Sequence, residues 1–60
     1  MSDYRFYHLS AGRILNAEVH DCTDDEAATV TARRVLDATP PHCDAVEIWQ
    51  LARLVGAVQR

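Results

Sequence analysis

Polar and apolar residues alternate in strand fashion toward both ends of the chain and recur at helical spacing between them. Ile14 to Cys22 sets Leu15, Ala17 and Val19 against Asn16, Glu18 and His20, the period of a strand with one buried face. Leu15, Ala17 and Val19 are expected to point inward. Tyr4 to Leu9 precedes this run and is rich in the aromatics that suit strands. Its two faces, Tyr4, Phe6, His8 and Arg5, Tyr7, Leu9, are similarly mixed, so neither is plainly the solvated one. Ser10-Ala11-Gly12-Arg13 reads as a turn, with Gly12 free to take a positive φ. The two runs therefore predict a hairpin.

The stretch from Thr23 to Asp37 predicts the one helix. Thr23 and Glu26 have the spacing of a capping box, in which each side chain serves the other's backbone amide. Asp24, Asp25 and Glu26 suit the positive end of the helix dipole, and Arg33 and Arg34 lie toward the negative end. Ala28, Thr31, Ala32 and Val35 form the expected buried stripe, with Leu36 beside it. These residues are mostly small, so the helix should lie close on a sheet. Pro40-Pro41 is expected to stop it. Beyond, Ala45 to Gln50 places Val46 and Ile48 opposite Glu47 and Trp49. Arg53 to Val58 returns with Leu54, Gly56 and Val58 against Val55 and Ala57, after Leu51-Ala52, a pair with little turn propensity. The predicted class is α+β: a ββαββ order in one small domain, residues 1–60, with a single helix on a four-stranded antiparallel or mixed sheet.

The Tyr-Arg-Phe-Tyr start with its glycine turn, the Asp-Asp-Glu-Ala helix start and the Val-Glu-Ile-Trp-Gln-Leu-Ala-Arg-Leu-Val-Gly ending resemble a group of very short uncharacterised bacterial proteins. In that group an aromatic first strand, a D-D-E-A helix and a terminal V-E-[VI]-W hairpin recur over nearly the full length. The resemblance implies the same ββαββ fold and brings no activity or functional residue with it.

Composition narrows the function classes. A net charge of -3 and a pI near 5.4 lack the basic stripe with which most nucleic-acid binders neutralise phosphate. The six positive side chains are all arginine and scattered, and with no lysine and many alanines the composition suggests a GC-rich bacterial source. The first residues, Met-Ser-Asp-Tyr-Arg, show no apolar signal segment, and no apolar run approaches the roughly 20 residues of a membrane span. The expectation is a cytoplasmic protein whose two cysteines are thiols.

Three constellations invite chemistry. His20-Asp21-Cys22 and His42-Cys43-Asp44 supply six possible metal ligands, but their spacing fits no usual zinc pattern, and a helix about 20 Å long separates them. The same separation argues against a Cys22–Cys43 disulfide. Asp24, Asp25 and Glu26 are explained by capping and the helix dipole rather than by catalysis. Ser10 lies in the turn and His8 two residues earlier on the extended strand, close in sequence only and without an orienting acid. No catalytic, cofactor or metal residue is therefore assigned, and an enzyme is not expected. Tyr7, Leu9 and Trp49 are expected on the sheet face the helix leaves uncovered, as interface residues. The leading expectation is a non-enzymatic interaction or structural module that self-associates as a homodimer. The alternative is a small metal- or nucleic-acid-binding module.

Overall fold

Two hairpins flank the helix in a computed structural model that describes residues 2–39, 41 and 43–60. Strand β1 (Ser2–Ser10) and β2 (Arg13–Cys22) form the first hairpin, α1 (Asp25–Asp37) follows, and β3 (Ala45–Gln50) and β4 (Arg53–Gln59) form the second. All pairings are antiparallel, and the sheet order is β2-β1-β3-β4, so the ββαββ prediction holds with β1 and β3 at the centre. At the first turn Ala11 and Gly12 have φ of 51° and 79°, the paired positive values of a two-residue hairpin turn. The second turn places Leu51 at φ 55°, a region leucine rarely occupies.

The helix covers one side of the sheet and packs chiefly over β3 and β4. Its stripe of Ala28, Ala32, Val35 and Leu36 is buried against Tyr4, Phe6, Cys22, Cys43, Val46, Ile48 and Val58. Because Ala28 and Ala32 lack bulk, the helix backbone comes close to the sheet. Asp24, not Thr23, is the N-cap: its side chain accepts from the Ala27 amide at 2.8 Å. The expected box does not form, since Ala27 follows Asp24 at the reciprocal position and has no polar side chain to reach back, and aspartate is the stronger cap of the two. At the other end Arg60 donates to the carbonyls of Leu36 (2.9 Å) and Cys43 (3.0 Å), so one cation ties the last helical turn to the segment leading into β3. The expectations for Pro40 and His42 lie outside the described residues.

The inward assignment of Leu15, Ala17 and Val19 is overturned. Phe6 pairs with Glu18 and Tyr4 with His20, which puts Glu18 and His20 on the helix side and Ala17 and Val19 on the opposite side. A one-residue bulge sets this phase, and the position of the helix permits it. The helix leaves the inner face of the edge strand β2 largely uncovered, so polar residues are tolerated there. Leu15 belongs to neither alternation, because the register steps from His8↔Asn16 to Leu9↔Ile14 and leaves it as the extra residue of a bulge. A second bulge, at Val55, places Leu54 opposite Trp49 while Gly56 and Val58 stay on the helix side, so Leu54 leaves its expected stripe.

Candidate functional site

The pleat carries a largely apolar set onto the uncovered face. Tyr7, Leu9 and Trp49, the three residues expected at an interface, stand there half-buried. Register adds Ile14 beside Leu9, Ala17 beside Tyr7, and a row running Val19, Arg5, Trp49, Leu54 across all four strands. Ile14 is 62% exposed, Val19 58%, Leu54 52% and the turn residue Leu51 92%. Leu51 leans over this face: with Tyr7, Ile14, Glu47 and Trp49 it lines one shallow depression, and with Asp3, Arg5, Tyr7 and Val19 another. The polar exceptions are sparse and mixed in sign. Arg5 and Glu47 occupy the two central strands, and Glu47 Oε1 accepts from Trp49 Nε1 at 3.1 Å, which fixes the indole along its own strand. Reading β2 as inward-facing at Val19 concealed half of this surface. The register that reveals it is set by the bulge, for which the alternation offered no signal.

The helix-side flank of β2 bears a different cluster. Glu18 lies between two imidazoles, with His8 Nε2 at 2.7 Å from one carboxylate oxygen and His20 Nε2 at 3.0 Å from the other. Burial pushes the Glu18 carboxyl up, but the hydrogen bonds from His20 and His8 outweigh it and hold the pKa below the ordinary value. His8 is buried, and its short contact is poorly aligned, so Nε2 lacks a well-directed hydrogen bond. His20 also stacks edge-on against Phe6, with ring centroids 5.2 Å apart. A groove beside the cluster is walled by Thr31, Arg34 and Val35 of the helix. His8 stands opposite Asn16, four residues from His20, or about 13 Å along the strand. The two imidazoles therefore reach separate oxygens of Glu18 rather than one common point. Among the described residues, no group of three His, Cys, Asp or Glu side chains is disposed to hold a metal ion. Cys22 and Cys43 are buried free thiols.

The acidic helix start has a structural task. Asp25 accepts two hydrogen bonds from Arg53 at 2.9 Å and one from the Tyr4 hydroxyl at 2.9 Å, tying α1 to β4 and β1. The Arg53 bonds, then the Tyr4 bond, hold the Asp25 pKa at about 2. Burial, then that same bond, raises the Tyr4 pKa. Asp25 thus anchors the helix, and its carboxylate is already engaged. No helix among the described residues is long and apolar enough to cross a membrane. A comparison with protein-family profiles finds no match, and no curated protein or solved structure matches the chain.

Proposed function

We propose that this protein is a non-enzymatic interaction module of the bacterial cytoplasm that docks a second copy of itself on the sheet face opposite the helix. The single observation that carries this reading is the contiguous exposed set Ile14, Val19, Leu51 and Leu54 around the half-buried Tyr7, Leu9 and Trp49. Small proteins rarely leave such a patch open to water unless it is an interaction surface, and Trp and Tyr dominate binding energy where they occur. Charge favours a second copy as the occupant. Arg5 lies opposite Trp49 and Glu47 opposite Tyr7, which makes them diagonal neighbours on β1 and β3, and a two-fold axis passing midway between them, between stacked sheets, sets each Arg5 against the other copy's Glu47. Size agrees as well, since the 31 × 21 Å outline limits the face to roughly 600 Å², near the ~800 Å² per partner of a standard interface.

Leu51 supports the same reading. An almost fully exposed leucine at φ 55° gains nothing within the protomer, yet it extends the apolar face beyond the strands. Strain retained at a surface position is a recognised mark of function. The test is light scattering with Leu54→Asp and Trp49→Lys, both on the open face and away from the helix-side core. The wild type should self-associate, and both variants should show a lower mass than the wild type at the same concentration. A wild type that is monomeric at micromolar concentration overturns the reading, as do variants that associate unchanged.

A further inference from the structure

We propose that β2 is a pairing edge that takes β2 of a second copy, antiparallel and with Val19 on the two-fold axis, joining two four-stranded sheets into one of eight. This surface lies at right angles to the apolar face and does not depend on it.

The backbone phase of β2 is readable from its neighbours. The Leu9 carbonyl accepts from the Asp44 amide at 2.9 Å, so odd-numbered residues of β1 direct their backbone groups toward β3 and even-numbered ones toward β2. The pairs Tyr4↔His20, Phe6↔Glu18 and His8↔Asn16 therefore use the backbone of the even residues of β2. Ala17, Val19 and Asp21 are left with N–H and C=O groups pointing away from the sheet. The Ala17 amide confirms this phase, since it donates to the side chain of Asn16 at 2.9 Å rather than to a strand.

A ten-residue edge of this kind is usually protected by lysine, proline or a covering segment. Here β2 has no lysine and no proline, and its bulge lies at Leu15, outside the stretch from Ala17 to Asp21. The opposite edge is better covered, because the helix packs over β4 and Arg33 donates to the Gln59 carbonyl at 3.0 Å.

Charge then selects the register. An antiparallel pairing centred on Glu18 sets two carboxylates face to face, and one centred on Ala17 brings Val19 against the bulged Leu15. Centring on Val19 places each Glu18 opposite the second copy's His20, Ala17 opposite Asp21, and Val19 opposite Val19. It keeps the outward amides in phase and every side chain on its own face. A carboxylate opposite an imidazole that can donate to it favours a register, and like-charge carboxylate pairs oppose it.

The test is residue-resolved amide hydrogen exchange on the full chain in dilute and in concentrated solution. Val19 and Asp21 should exchange freely when dilute and slow about tenfold once nine-tenths of the chains are paired. In Val19→Pro, where the lost backbone N–H points away from β1, Asp21 should exchange freely at both concentrations while Phe6 and Glu18 stay protected. Leu54→Asp, on the far side of the sheet, should leave the slowing at Val19 and Asp21 intact, so the edge and the apolar face fail separately. If Val19→Pro does not fold, His20→Glu takes its place: it sets like charges across the seam and should abolish the slowing. Concentration-independent exchange at Val19 and Asp21 in the wild type overturns the proposal. So does slowing that survives Val19→Pro or His20→Glu, or slowing that Leu54→Asp removes.

Discussion

Val46→Ala and Val19→Ala make the same chemical change on opposite sides of the sheet, and the fold assigns them very different costs. Val46 is 0% exposed beneath the helix, whereas Val19 is 58% exposed on the open face. Shortening valine to alanine removes two methyl-sized groups, about 1.6 kcal/mol of transfer free energy at ~0.8 each. At Val46 the whole of that is lost, and a cavity between sheet and helix adds to it, giving about 2–3 kcal/mol. At Val19 less than half of the side chain is covered, so the transfer loss is about 0.7 kcal/mol, and solvent fills the space without a cavity. The difference of roughly 2 kcal/mol is a large share of the stability of so small a domain. Urea unfolding at protein concentrations too low for association, with equal m-values for the two variants, measures it directly. Equal losses at the two sites, or a greater loss at Val19, would refute the assignment of β2 and with it the open apolar face.

Three further outcomes follow from particular contacts. Asp25 has its folded pKa pulled down to about 2, so its stabilisation is full above the usual carboxylate range and disappears as pH falls toward 2. Asp25→Asn should therefore flatten the acid limb of the stability–pH curve, read by thermal unfolding from pH 5 downward. Arg60→Ala removes the hydrogen bonds to the Leu36 and Cys43 carbonyls and should cost about 1–2 kcal/mol, measured by denaturant unfolding. Leu51→Gly relieves the positive φ and should stabilise the monomer by about 1 kcal/mol while weakening dimerisation. Denaturation and light scattering on that variant should thus move in opposite directions.

Much of the fold was legible because local signals agreed with one another. The acidic helix start, the small-residue stripe and the alternation at Val46 and Ile48 all lead to the observed α1 and β3. Two bulges account for most of what was not legible, because a bulge shifts side-chain phase by one residue without changing composition. At Val55 it moved Leu54 to the outer face, and at Leu15 it left that side chain outside either alternation. The inversion of β2 has the same origin, because the bulge at Leu15 sets Ala17 opposite Tyr7 and Val19 opposite Arg5 instead of opposite the core residues of β1. Alternation shows that a strand has two unlike faces, but not that the apolar one meets the helix, and here the helix lies over β3 and β4 instead. Trp49 alternates with the apolar Val46 and Ile48, which favours its place on the open face, whereas on β1, whose two faces are similarly mixed, it is the structure that buries Tyr4, Phe6 and His8 and leaves Tyr7 and Leu9 outside. Their neighbours Val19, Ile14 and Leu54 required the register. The Glu18 cluster was illegible for a similar reason, since His8 and Glu18 meet diagonally across strands.

An isotope-filtered NOE experiment on a mixture of labelled and unlabelled protein tests the proposed self-association most directly, because it sees only contacts between copies. The proposal predicts intermolecular cross-peaks from the Trp49 indole and Tyr7 ring to the methyl groups of Leu9, Val19, Leu51 or Leu54. Cross-peaks confined to helix residues, or none at concentrations where the wild type should be paired, would contradict it.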